Sequence, residues 1–228
     1  MSKVKTNAEL LNTTATTQKP FDTEGFIARY RNLFLIIAGA IAAGVLLYFA
    51  YNYYANQQEQ EAQKDLFPAV YFAEADSMKL ALKGTKNYRG LERIIKDYPN
   101  TKAGMQARFY AGVAYMKEGK FQKAIDELKQ FNLGDQLVQA RAYSLVGDAY
   151  VELNKLEDAV SYYNKAVNHQ PNEFFTPAYM MKLGLVYELQ KKSKDAIDIY
   201  NKVVLDYPTS NEATNAKKYK ARLEAMQK

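Results

Sequence analysis

The chain of 228 residues is 48% hydrophobic and 25% charged, a composition that suits about one or two folded domains and excludes disordered or collagen-like polymers. Cysteine is absent and His169 is the single histidine, which excludes disulfides, thiolate metal sites and cysteine nucleophiles. The formal charge of +6 is spread as five Lys/Arg against three acids in residues 1–58 and 26 against 22 beyond them, so the concentrated basic stripe that nucleic acid requires is missing.

Residues 1–31, with Thr13, Thr14, Thr16, Thr17, Gln18 and Pro20, bury little and are expected to form a largely disordered tail. Its end, Phe21 to Arg31, sets Phe26, Ile27 and Tyr30 beside Arg29 and Arg31, a pattern suited to lying along a membrane surface. No charged residue then occurs between Arg31 and Glu59. Leu33 to Tyr51 reads LFLIIAGAIAAGVLLYFAY, which as a helix rising about 1.5 Å per residue covers roughly 28 Å, the thickness of a bilayer core. The run exceeds the apolar part of a removable signal peptide and ends in Tyr48, Phe49, Tyr51, Tyr53 and Tyr54, an interfacial aromatic belt.

A single transmembrane helix is therefore expected over residues 32–54, in contact with membrane lipid. Within it Gly39 and Ala43, and Ala40 and Gly44, lie four residues apart and share helix faces that admit a close membrane partner. Lys19, Arg29 and Arg31 precede the span, whereas Lys64 alone lies within about 20 residues after it. This bias predicts a single-pass protein with a cytoplasmic N-terminus and residues 59–228 translocated; in a double-membrane bacterium that is an inner-membrane protein with a periplasmic C-terminal domain.

The exported part repeats itself. Three segments align on a glycine, a tyrosine three residues later, an alanine twelve later and a large apolar or aromatic residue sixteen later. They are Gly112, Tyr115, Ala124, Leu128; Gly147, Tyr150, Ala159, Tyr163; and Gly184, Tyr187, Ala196, Tyr200. Pro171 and Pro208 fall twenty-four residues after the second and third glycines, where a helix must stop. Each unit reads as two antiparallel helices that approach closely at the glycine and the alanine. Turns at Lys117-Glu118-Gly119-Lys120, Leu153-Asn154-Lys155 and Gln190-Lys191-Lys192-Ser193 offer Gly119 and Asn154 for a left-handed conformation.

The glycine, tyrosine, alanine, aromatic and proline series resembles the tetratricopeptide repeat over about residues 104–208, with Arg108, Tyr143 and Met180 where that repeat carries tryptophan. The expected fold is all-α: the membrane helix, a linker helix and degenerate hairpin over 55–103, three hairpins over 104–208 in an α-solenoid, and a capping helix over 209–228 built on Ala213, Ala216, Tyr219, Leu223 and Met226. The degenerate unit is suggested by Asp97-Tyr98-Pro99-Asn100-Thr101, which echoes Asp206-Tyr207-Pro208-Thr209-Ser210. Counting back from Pro99 places Leu91 and Ile94 on its second helix, Tyr71, Ala75 and Met78 on its first, and Asn87 at the small second-helix position.

Stacked hairpins of this kind curl so that first helices line an inner groove able to hold peptides. Counting from the glycines predicts a peptide-binding groove of Phe109, Val113, Met116, Arg141, Ser144, Asp148, Val151, Met181, Leu185 and Glu188. The residues directly after the glycines are Val113, Asp148 and Leu185, which supply no asparagine or cation for gripping a chaperone's terminal carboxylate. No catalytic, cofactor-binding or metal-ligating constellation is read, so no cofactor, no small-molecule substrate and no enzymatic activity is expected. His169 precedes Pro171 at a helix end as a cap or turn residue, while Asp126-Glu127 and Glu157-Asp158 sit where the helix dipole favours acids. Lys217, Lys218, Lys220 and Arg222 read as a solvated face.

One membrane helix followed by a compact repeat domain resembles, over residues 20–228, the YfgM-like ancillary subunits of the bacterial Sec translocon. The resemblance implies protein partners, namely the SecYEG channel and membrane-anchored periplasmic chaperones or prolyl isomerases, and a role in assisting newly translocated proteins. The residues alone leave open a structural adaptor that scaffolds another cell-envelope complex, for division, polysaccharide export or outer-membrane assembly.

Overall fold

Four helix ends carry one backbone signature. A residue with positive φ, Asp76 (57°), Gly119 (70°), Asn154 (56°) or Lys191 (60°), ends each helix. The amide of the next residue reaches back five positions to a carbonyl, from Ser77 to Phe72 at 2.8 Å, Lys120 to Tyr115 at 2.8 Å, Lys155 to Tyr150 at 2.8 Å and Lys192 to Tyr187 at 2.9 Å. This arrangement satisfies the last carbonyls of a helix and turns the chain back on itself.

The structure, a computed structural model, describes residues 23–134 and 136–227. The expectations for residues 1–22 lie outside the described residues. The chain divides into two units, residues 1–53 and 54–228.

In the first unit the backbone is helical from Thr23, within a helix α1 that runs Thr23–Glu74. Residues 23–31, expected as the end of a disordered tail, are thus helical. Glu24 in the first turn favours the helix dipole, and the Phe26 ring meets Tyr30 one turn on at 4.8 Å between centroids. From Leu33 to Tyr51 the large apolar side chains lie exposed. Among the described residues α1 is the one helix long and apolar enough to cross a membrane.

The second unit is a stack of antiparallel helices. The end of α1 is followed by α2 (Met78–Lys83), α3 (Leu91–Asp97), α4 (Lys102–Lys117), α5 (Phe121–Gln130), α6 (Gln136–Glu152), α7 (Leu156–Asn168), α8 (Thr176–Leu189), α9 (Ser193–Asp206) and α10 (Asn211–Met226). Hairpins α4–α5, α6–α7 and α8–α9 are the three repeats anticipated from the glycines. Their close approach is visible at each one: a methyl group on Gly147 would stand 2.7–3.0 Å from the Tyr163 ring, and one on Gly112 or Gly184 would overlap Leu128 or Tyr200. Ala124, Ala159 and Ala196 are fully buried on the facing helices.

The sequence echo at the two Asp-Tyr-Pro segments is a structural echo. α3 ends at Tyr98 (φ −129°, ψ 51°) and α9 at Tyr207 (φ −131°, ψ 53°). Three residues on, Thr101 accepts from the Gly104 amide at 2.9 Å and Ser210 from the Ala213 amide at 3.2 Å, capping α4 and α10. The motif stops one helix and starts the next. α10 buries Ala213, Ala216 and Leu223 and closes the stack.

The register of the unit before these differs from the expectation. Its first helix is the end of α1, which buries Ala62, Leu66 and Ala69 along one stripe and finishes at Asp76 as the others finish at Gly119, Asn154 and Lys191. Ala69 therefore holds the glycine position, Phe72 the tyrosine position and fully buried Ala81, on α2, the alanine position. Met78 lies on α2 and Asn87 in a loop, so neither has the expected place. Pro99 follows Ala69 by thirty positions instead of twenty-four because the second helix is split. The insertion runs from Gly84 to Gly90 and is closed by an antiparallel bridge between Gly84 and Arg89. Glu59 of α1 accepts from the first amides of α4, Lys102 at 2.6 Å and Ala103 at 3.3 Å, while Asp65 takes the Arg89 guanidinium at 2.7 Å and the Tyr98 hydroxyl at 3.0 Å.

Candidate polypeptide-binding face

The face made by first helices is the end of α1 with α4, α6, α8 and α10. Two of its acids are bound within the protein. On α6, Asp148 accepts the Tyr163 hydroxyl from α7 at 2.5 Å and the Lys182 ammonium from α8 at 2.7 and 2.9 Å. On α8, Glu188 accepts the Tyr200 hydroxyl from α9 at 2.7 Å and the Arg222 guanidinium from α10. Each acid thus ties its own hairpin together and holds the next one. Burial, together with the facing carboxylate, pushes the Tyr163 and Tyr200 hydroxyls far above the usual phenol range, so both remain donors. The first hairpin has Val113, Met116 and Leu128 at the corresponding positions: where the acids are missing, the hydroxyl is missing too.

Two open troughs interrupt this face. The first, of about 590 Å³, lies between Leu66, Phe67 and Val70 of α1, Phe109 and Tyr110 of α4, Phe131 after α5, and Val138 and Arg141 of α6. Phe109 meets Phe131 at 5.3 Å between ring centroids and Phe67 is 76% exposed. The second, of about 580 Å³, is floored by Val151, Leu185 and Leu189 and rimmed by Lys182, Glu188 and Arg222. The ion pairs on that rim leave an apolar floor as the surface open to a ligand.

The groove residues expected from the sequence distribute as follows. Phe109 and Arg141 line the first trough, and Val151, Leu185 and Glu188 the second. Val113 and Met116 are half-buried between them, and Asp148 is taken up by Tyr163 and Lys182. Ser144 and Met181 do not face the groove: both are buried, and Ser144 accepts from Lys182 at 3.3 Å. They stand three residues before their glycines, as Phe109 does before Gly112, but Phe109 is half-buried and lines the first trough. Leu66, Phe67 and Val70 lie outside the residues expected from the sequence, because counting back from Pro99 sets the hairpin within 55–103 in another register.

Elsewhere, His169 ends α7 half-buried with its ring 5.7 Å from that of Tyr143. The basic group on α10 divides, with Lys217 and Lys218 exposed, Lys220 bonded to Asn201 at 2.8 Å and Arg222 held by Glu188. Gly39, Ala40, Ala43 and Gly44 are exposed on α1, and a methyl group on either glycine would meet nothing within 4 Å.

Profiles described as tetratricopeptide repeat match residues 106–132 and 178–210, and a second profile of that description matches 140–173. The three hairpins are tetratricopeptide repeats. A Guillardia theta protein, ycf37, is 28% identical over 116 residues, which span 49% of this chain and 63% of that protein. An ancillary SecYEG translocon subunit of Neisseria gonorrhoeae is 26% identical over 169 residues, covering 73% of this chain and 77% of the subunit. Among solved structures, MamA of Desulfovibrio magneticus superposes with a TM-score of 0.53 at 22% identity, over 66% of this chain and 77% of that one. A Podosopora anserina kinesin light chain with nearly identical TPR-like repeats does so at 0.57 and 15% identity, over 72% and 85%. These two likenesses bear on the fold alone. Tetratricopeptide repeats are a scaffold for binding other proteins.

Proposed function

We propose that this chain is a membrane-anchored accessory of the protein-export channel, whose repeat face receives apolar segments of newly translocated polypeptide. The observation that carries the reading is the internal pairing of Asp148 with Lys182 and of Glu188 with Arg222, which leaves Val151, Leu185 and Leu189 as the ligand-facing surface. A surface neutralised in this way discriminates little between sequences and favours apolar stretches, the part of a chain that folding has not yet buried.

α1 supplies the anchor, with the lysine and arginine bias directing the repeats to the periplasmic side. Gly39, Ala40, Ala43 and Gly44 give α1 a smooth face for a transmembrane helix of the channel or of an anchored chaperone or prolyl isomerase. The similarity to the Neisseria subunit, which extends across 73% of the chain, supports the channel as the partner complex.

The test is recovery of partners from native membranes in mild detergent through a tag at the C-terminus, with crosslinking in the cell beforehand. Channel subunits with an anchored folding factor are expected. A different envelope complex, recovered without the channel, would overturn the translocon reading and assign the repeats to scaffolding.

A further inference from the structure

Several cations on the first helices are held by carboxylates. Lys182 is held by Asp148, Arg222 by Glu188 and Arg108 by Glu127 at 2.6 Å. Arg141 is exposed, makes no ion pair among the described residues and is the one charged residue lining the first trough. Around it stand aromatic and aliphatic side chains, Phe67, Phe109, Tyr110 and Phe131 among them, with the Tyr110 hydroxyl and the amides of Gln63 and Gln106 as further polar groups. This trough therefore differs from the second one in chemistry: both are apolar, but among the described residues only the first presents a positive charge without an ion pair.

We infer that the first trough is a docking site for an extended apolar segment of a partner polypeptide that carries an aspartate or glutamate side chain, which Arg141 engages. The inference rests on the proposed function and assigns the two troughs different selectivity. Apolar side chains of the segment cover Phe67, Phe109 and Phe131, and aromatic ones have ring faces to meet. Backbone groups of an extended chain have Gln63 and Gln106 to hydrogen-bond. The trough is open to solvent, so an internal segment of a chain can reach it and present a side-chain carboxylate. A guanidinium donates to a carboxylate in bidentate geometry, with more effect beside apolar walls than in open water. The same charge repels lysine and arginine, so basic segments are turned away from this end of the stack while the neutral second trough accepts them.

The experiment measures fluorescence anisotropy with the full chain in detergent micelles and three labelled twelve-residue peptides. The peptides share an apolar, phenylalanine-containing sequence and differ at one central position, glutamate, glutamine or lysine. The glutamate peptide is expected to bind about fivefold more tightly than the glutamine peptide, with lysine weakest. Arg141→Glu should reverse the order, and Arg141→Gln should bring the glutamate and glutamine peptides together. Arg141 is solvent-exposed, and an unchanged melting temperature verifies that both variants fold. Equal binding of all three peptides, or an order that Arg141→Glu leaves intact, would overturn this inference while the proposed function stands. Failure of the unaltered chain to bind any of the three would overturn both.

Discussion

Lys182 and Asp148 stand thirty-four positions apart in sequence and 2.7 Å apart in space, joining the first helices of two successive hairpins. Arg222 and Glu188 repeat the relationship at the same spacing one hairpin later. Both acids also accept a tyrosine hydroxyl from the second helix of their own hairpin, so each is a junction of three helices.

The junctions should couple energetically. Asp148→Asn deprives Tyr163 and Lys182 of a charged acceptor, and a loss of about 1–2 kcal/mol is expected. Lys182→Met should cost less, about 0.5 kcal/mol, since that side chain is partly in water. A double-mutant cycle on the full chain in detergent, followed by thermal unfolding, is expected to give a coupling near 0.5–1 kcal/mol between the two sites. Additive losses would mean the ion pair contributes nothing.

Gly147 and Gly39 should respond in opposite ways to the same chemistry. Gly147→Leu forces a side chain into the Tyr163 ring and is expected to destabilise the repeats by about 1–3 kcal/mol, despite the better helix propensity of leucine. Gly39→Leu with Gly44→Leu adds side chains where nothing lies within 4 Å, so melting is unchanged, while recovery of any membrane partner falls. Calorimetry and co-purification on the two variants check both halves.

Lys191 holds a φ of 60°, a conformation that disfavours a side chain and that Gly119 adopts freely in the first hairpin. Lys191→Gly should raise stability by about 0.5 kcal/mol, or roughly 1–2 °C in melting temperature. A fall would indicate that the lysine makes a compensating contact.

How far could the sequence be read? The three hairpins, the glycine and aromatic contacts and the capping helix follow from local periodicity, because each unit carries its own small residues and its own helix stops. The unit before them lies six residues from the register that counting back from Pro99 gives, since the insertion at Gly84–Gly90 lengthens that distance. With the register went Leu66, Phe67 and Val70, half a wall of the first trough. Asp148 and Glu188 count as groove residues by position, and the sequence also carries a signal of their internal partners: each acid has a cation thirty-four residues downstream. Ser144 and Met181 were beyond such reasoning, because burial at their position depends on how tightly the next hairpin closes.

Glu92 offers a test in pH. Burial alone would raise its carboxyl, but hydrogen bonds from Lys83 at 2.6 Å and Tyr115 at 2.7 Å hold it below its ordinary value. A carboxylate depressed in the folded state adds stability above its unfolded pKa of about 4.3, and that stability is lost as pH falls through the lower folded value. Glu92→Gln should therefore melt a little earlier at pH 7, by less than about 1 kcal/mol given the exposure of Lys83, and the gap should close below about pH 4. A gap independent of pH would assign the effect to packing.

The central claim is that the first-helix face meets polypeptide in transit. A photo-crosslinking residue at position 185, on the floor of the second trough, should capture radiolabelled chains arrested during export, whereas one in place of Leu205, exposed on a second helix, should not. Capture at 185 alone is the predicted result. Equal capture at both positions, or none at 185 while the channel itself is recovered, would contradict it.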